Sequence, residues 1–73
     1  MSLPAPDRTV LLVFRFRVGH PITIAAPKKV ADQLKEVPPV ITHPRTAERI
    51  RLAFNDVTAD FSRGMLLYTF YQV

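Results

Sequence analysis

The sequence predicts a small α+β domain, in which a mostly antiparallel sheet carries one or two short helices on one face. Three stretches of the 73 residues indicate this class. Residues 9–18 end in alternating apolar and basic side chains, residues 27–36 have helical spacing, and residues 65–73 form an apolar run rich in aromatic residues. Because a helix and a sheet bury their apolar faces against each other, we expect one domain over residues 1–73, with residues 1–8 as a frayed arm.

The first stretch is predicted to form a β-hairpin. Residues 9–18 are the first strand, in which Phe14 and Phe16 face one side of the sheet and the arginines between them face the other. The turn residues 19–21 and a short strand at residues 22–24 follow. We therefore expect a hairpin with a loop of about three residues.

The second stretch is predicted to be a helix of about ten residues. Pro27 suits the first helical position, because the N–H that proline lacks has no partner there. Val30, Ala31 and Leu34 fall on one helical face, and charged side chains surround the other. The Pro38-Pro39 pair ends the helix.

The next stretch allows two interpretations. After an extended segment at residues 40–42, apolar residues recur at a helical spacing of three and four: Ala47, Ile50, Phe54, Val57 and Phe61. The apolar positions from Ile50 to Phe54 also alternate with the residues between them, as in a strand. We favour a helix over residues 44–54, because ten or more periodic residues exceed the length of an average strand.

The C-terminal stretch is predicted to be a strand over residues 65–73, after a turn at Arg63-Gly64. Both of its faces are apolar. A strand of this kind is expected in the centre of a sheet, or covered on both sides, because an exposed apolar edge promotes aggregation.

The composition limits the classes of function. The chain has no cysteine, so we expect a reducing compartment, the cytoplasm, and no thiolate chemistry. The apolar run at residues 10–14 is too short for a membrane span, and an acidic residue and prolines precede it where a signal peptide would be basic. Ten Lys and Arg against six Asp and Glu give a net charge of +4, which suits an acidic protein surface or a nucleic acid.

No catalytic or metal motif is present in the sequence. Ser2 and Ser62 lie outside any nucleophile-elbow pattern, and two glycines are too few for a phosphate-binding loop. His20 and His43 each precede a proline in a loop and lack the spacing of metal ligands. We expect a binding protein without catalysis, cofactor or metal.

The arginines are the candidate contacts to a partner, because a guanidinium can bind carboxylates and phosphates through two parallel hydrogen bonds. One aromatic residue on the last strand is added as an anchor: Tyr71, or Tyr68 if that strand is exposed. The predicted contact residues are Arg15, Arg17, Arg45, Arg49, Arg51 and Tyr71. The alternative role of the arginines is pairing within the chain, for which the available acids are Glu48, Asp56 and Asp60.

The grouping of these arginines depends on whether the stretch from residue 44 onwards is a helix or a strand. In a helix, Arg45 and Arg49 lie one turn apart. In a strand, Arg49 and Arg51 project together, and pairing of that strand with the first one would add Arg15 and Arg17 to a single basic face.

As a whole, the length, the absence of cysteine, the basic charge and the interrupted α+β pattern resemble small phage-encoded regulators that bind host RNA polymerase, such as that of a Xanthomonas phage. The resemblance implies a protein of the bacterial host cytoplasm that inhibits transcription initiation by displacing the sigma factor and also acts in antitermination. It implies no catalysis and no cofactor.

Three hypotheses follow for the function. The first is a monomeric regulatory protein that does not associate with a membrane and docks on bacterial RNA polymerase. The second is a small basic protein that binds nucleic acid through the same arginines. The third is a subunit that forms oligomers through its apolar C-terminal strand.

Overall fold

The computed structural model describes residues 7–73, in which five strands form one mixed sheet that curls around a single helix. The elements in chain order are β1 (Thr9–Arg15), β2 (Ile22–Pro27), α1 (Lys28–Glu36), β3 (Val40–Thr42), β4 (Arg49–Asp60) and β5 (Met65–Gln72). The order across the sheet is β2-β1-β5-β4-β3, so β1 and β5, the first and last strands in the chain, are neighbours. The β1–β5 pair is parallel and the other three pairs are antiparallel. The predicted α+β class with a mostly antiparallel sheet is confirmed.

The predicted N-terminal hairpin is present, with a longer loop than expected. β1 ends at Arg15, and six residues rather than three connect it to β2. Phe14 is buried in the core and Phe16 packs partly against it, but Val18 is 83% exposed because it lies in the loop beyond the strand.

The helix α1 ends before the Pro38-Pro39 pair as predicted, but it begins at Lys28, so Pro27 is its extended N-cap and not its first residue. Ala31 is fully buried against the sheet and Leu34 packs on the core, whereas Val30 is 40% exposed. The apolar face of α1 is therefore narrower than its sequence pattern indicates.

Residues on the N-terminal side of β1 hold the start of α1. The carboxylate Oδ2 of Asp7 accepts a hydrogen bond from the N–H of Lys29 at 3.0 Å, and the carbonyl of Arg8 accepts one from the N–H of Lys28 at 2.7 Å. These bonds satisfy N–H groups that have no partner within the helix, and they place a negative charge at its positive end. The rest of the predicted frayed arm, residues 1–6, lies outside the described residues.

The favoured helix over residues 44–54 is wrong. Residues 44–46 form a turn, and β4 begins at Arg49. Ala47 has a φ of 61°, a left-handed conformation that ends any right-handed helix at this point. From Arg49 onwards the strand alternates, which buries Ile50 and Leu52 in the core.

A β-bulge explains one step of the helical spacing in β4, that from Phe54 to Val57. The register with β5 shifts between Phe54 and Asp56, so one residue is left out of the alternation. Phe54 and Val57 consequently lie on the same face although they are three positions apart, since their partners Phe70 and Tyr68 share a face. A bulged strand thereby reproduces the spacing of a helix.

The core lies between α1 and one face of the sheet. It consists of apolar side chains from three strands and the helix: Val10, Leu12, Phe14, Ala31, Ile50, Leu52, Tyr68 and Phe70. Phe70 on the central strand β5 is fully buried, with its ring centroid 5.6 Å from that of Phe14 and 5.7 Å from that of Phe54. The predicted central position of the C-terminal strand is confirmed.

Candidate functional site

The side of the sheet opposite α1, which we call the open face, carries four of the six predicted contact residues. Leu12 and Phe14 face the core, so the alternation of β1 places Arg15 on the open face. The register pairs Arg15 with Tyr71 of β5, and Tyr71 in turn with Ala53 of β4. Tyr71 is 47% exposed, with one strand on each side of it.

The arginines of β4 reach the same open face by the same alternation. Ile50 and Leu52 point into the core, so Arg49 and Arg51 point away from it, and both are exposed. The pairing of this strand with β1, which would have joined four arginines in one basic face, does not occur, because β5 lies between them. Four predicted contacts therefore share one face across three strands: Arg15, Arg49, Arg51 and Tyr71.

The other two predicted residues lie apart from this group, at the end of the sheet. Arg17 follows β1, and its N–H donates to Oε1 of Gln72 at 3.0 Å. Arg45 lies in the turn after β3, and its N–H donates to Nδ1 of His43 at 3.1 Å. Both arginines line a cleft of about 510 Å³ between the β1–β2 loop and the turn at residues 43–48.

The five predicted arginines form no salt bridge within residues 7–73. The two salt bridges of that segment join Lys28 to Asp32 and Arg63 to Asp60. Asp60 also accepts a hydrogen bond from the Ser62 hydroxyl at 2.6 Å, which is the main reason its pKa is lowered below the usual 3.8. The alternative role of pairing with acids of the same chain is thus absent for the five arginines in this segment, which leaves their guanidinium groups available to a partner.

Sequence reasoning missed the residues that shape the cleft. Both histidines lie on its walls, together with Phe16 and Gln72. His43 connects the two sides of the cleft, because its ring packs against that of Phe16 with the centroids 4.6 Å apart. The one signal in the sequence is that each histidine precedes a proline at a turn, which marks two loops but not their proximity.

The comparisons with known proteins give no family: no family model matches the sequence, and no curated protein is significantly similar to it. Residues 7–73 contain no helix long and apolar enough to cross a membrane. In the same segment no three His, Asp or Glu side chains come together as metal ligands would. The candidate site thus consists of an open sheet face with arginines and an aromatic residue, and an adjoining cleft.

Proposed function

We propose that the chain is a small regulatory protein of the bacterial host cytoplasm that docks on RNA polymerase through the open face. One observation carries the binding role: the half-exposed Tyr71 lies opposite Arg15 on the same face of the sheet as Arg49 and Arg51. None of these arginines forms a salt bridge within the described residues. An aromatic anchor with arginines around it is typical of the energetically important centre of a protein interface. The choice of polymerase comes from the whole-chain resemblance to phage-encoded regulators.

Such a regulator would act by occupancy. By covering a polymerase surface that the sigma factor also needs, it would displace sigma and inhibit initiation, and by staying on the elongating enzyme it would also act in antitermination. Cationic side chains at the edge of an interface accelerate encounter with an acidic surface and select among partners.

The test is retention of purified bacterial RNA polymerase holoenzyme on the immobilised protein, with nuclease present and at two salt concentrations. We expect the core enzyme to be retained and sigma to appear in the unbound fraction. The variants Arg15→Glu and Tyr71→Ala should each weaken retention by about tenfold or more, as for residues at the centre of an interface. Arg8→Glu, which changes the net charge equally outside the open face, should not.

The open face also supports a second candidate, binding of single-stranded nucleic acid. Tyr71 lies opposite Arg15 and Ala53, with Arg51 two positions before Ala53 on the same face, and an exposed ring near cations is the arrangement on which unpaired bases stack. In this case retention of polymerase would be lost on nuclease treatment. Binding to an unrelated oligonucleotide would then fall steeply as salt rises.

A further inference from the structure

The cleft at the end of the sheet has an apolar floor and a polar rim. The floor consists of Phe16, Ile22 and the buried Ile50, and the rim includes Arg17 and Arg45. Its volume of about 510 Å³ lies within the range of pockets that hold a small ligand or a few side chains of a peptide.

The hydrogen bonds of His43 determine which of its nitrogens can donate. Nδ1 accepts bonds from the N–H groups of Arg45 at 3.1 Å and Thr46 at 3.4 Å. The proton of the neutral ring must therefore be on Nε2, because Nδ1 cannot carry a hydrogen toward two donors. His43 has only a donor left for a ligand.

The same reasoning applies to Gln72. Its Oε1 accepts the N–H of Arg17, so its NH₂ group remains to donate. The guanidinium groups of Arg17 and Arg45 are also donors only. Among the charged side chains that line the cleft, Glu48 alone is an acceptor, so the site is complementary to an anion.

We propose that this cleft binds an acidic, extended peptide segment of the protein partner. A carboxylate of the segment would lie between Arg17 and Arg45, and a neighbouring apolar side chain would pack on the floor at Phe16 and Ile50. The floor favours a peptide over a nucleic acid, because nucleobases bind by stacking on free aromatic rings, whereas Ile22 and Ile50 are aliphatic and the Phe16 ring already packs against His43. This inference rests on the proposed protein-binding function and names the chemistry of the bound segment.

The experiment is an NMR titration of the ¹⁵N-labelled chain with the blocked pentapeptide Glu-Leu-Asp-Phe-Glu. Its amide counterpart, Gln-Leu-Asn-Phe-Gln, has the same shape without the charges. We expect shifts at residues 16–22 and 43–48, and binding of the amide peptide weaker by about tenfold or more, as the loss of one charge-assisted hydrogen bond requires.

The variants Arg17→Gln and Arg45→Gln should each weaken binding of the acidic peptide by a similar factor. Arg8→Gln, at an exposed arginine outside both the cleft and the open face, is the matched control and should leave binding of the peptide unchanged. His43→Asn should weaken it as well, because the asparagine oxygen can keep the turn by accepting the bonds that Nδ1 accepts, while the Nε2 donor is lost.

Equal affinity for the two peptides, or shifts confined to the open face, would overturn the inference. So would tighter binding of a thymidine hexanucleotide than of the acidic peptide in the cleft. Polymerase retention distinguishes the two proposals: retention without peptide binding overturns this inference alone, and peptide binding without retention overturns only the choice of polymerase.

Discussion

At the scale of single residues, Tyr68 connects the helix to the sheet. Its hydroxyl donates to Oδ1 of Asp32 at 2.9 Å, and Oδ2 of Asp32 accepts from Nζ of Lys28 at 2.7 Å. Nζ of Lys35 lies 5.3 Å from the ring centroid of Phe54 and 5.9 Å from that of Tyr68, within the range of cation–π attraction. These polar contacts, together with the packing of Ala31 and Leu34, hold α1 against the sheet.

The same contacts make the stability depend on pH at both extremes. The hydrogen bond from Lys28 lowers the pKa of Asp32 below 3.8, so its stabilising effect is present above that pH and is lost as acid protonates the carboxyl. Burial, followed by the hydrogen bond to Asp32, raises the pKa of Tyr68 above 10.0, and the bond to Asp32 raises that of Lys28 above 10.5. Because the folded state then holds protons that the unfolded chain releases, stability falls above about pH 10.

Replacement of Tyr68 by Phe tests this connection. We expect Tyr68→Phe to lower the free energy of unfolding at neutral pH by about 1 kcal/mol, the net value of one hydrogen bond, and to reduce the further loss above about pH 10. Urea denaturation at the two pH values measures both effects. Tyr71→Phe, at a half-exposed ring of the open face, is the control and should change neither; an unaltered midpoint in Tyr68→Phe would contradict the role given to the hydroxyl.

At the scale of elements, the connection between β3 and β4 sets the position of two predicted arginines. His43 accepts two backbone N–H groups of the turn, its carbonyl accepts the N–H of Ala47 at 2.9 Å, and its N–H donates to the carbonyl of Glu48 at 2.8 Å. This network closes a tight turn where the sequence spacing favoured a helix. Arg45 is thereby held at the cleft while Arg49 starts the strand on the open face.

Ala47 is the strained position of this turn. A non-glycine residue in the left-handed region costs about 1–2 kcal/mol, and glycine removes that cost while it adds entropy to the unfolded chain. We therefore expect Ala47→Gly to raise the free energy of unfolding by up to about 1 kcal/mol. The matched control is Ala53→Gly in the regular part of β4, which should lower it by about 0.5–1 kcal/mol.

Thermal or urea denaturation of both variants provides the comparison. A loss of stability in Ala47→Gly comparable to that in the control would mean that the left-handed turn does not form and that the helical interpretation of this stretch has to be restored.

The elements that the sequence predicted correctly are those with local signals. The hairpin, the proline-bounded helix and the apolar last strand depend on residues close together in the chain. For β4 the sequence favoured a helix because the helical spacing continues from Phe54 to Val57 across the bulge near Asn55. The length of that periodic run outweighed the strand alternation from Ile50 to Phe54. Likewise, Arg15 comes to lie beside Tyr71 through a strand pairing that spans 56 residues of sequence, which composition and periodicity cannot indicate.

At the scale of the whole molecule, the parallel pair β1–β5 holds the two halves together. The β1–β2 hairpin and the β3–β4–β5 unit are each built from antiparallel neighbours, and the pairing of Leu11 to Arg15 with Leu67 to Tyr71 joins them into one sheet. The open face and the cleft both extend over this junction. Neither site would exist if the two halves were separated.

Amide hydrogen exchange followed by NMR tests this topology. A central strand bonds on both sides, so every amide from Leu67 to Phe70 should exchange slowly. An edge strand bonds on one side only, so protection in β2 should alternate from one residue to the next. Alternating protection in β5 would contradict the β1–β5 pairing, and fast exchange confined to the distal β4–β5 turn around the 93%-exposed Phe61 would agree with it.

The placement of β5 also affects how the protein is made in the cell. β1 is the first of these strands to leave the ribosome and β5 is the last, yet each completes the hydrogen bonding and the apolar packing of the other. In the nascent chain, Val10, Leu12 and Phe14 therefore lack their packing partners on β5 until that strand has emerged. The sheet can therefore close only after β5 has emerged, and a chain interrupted before β5 would present an apolar strand to chaperones and proteases.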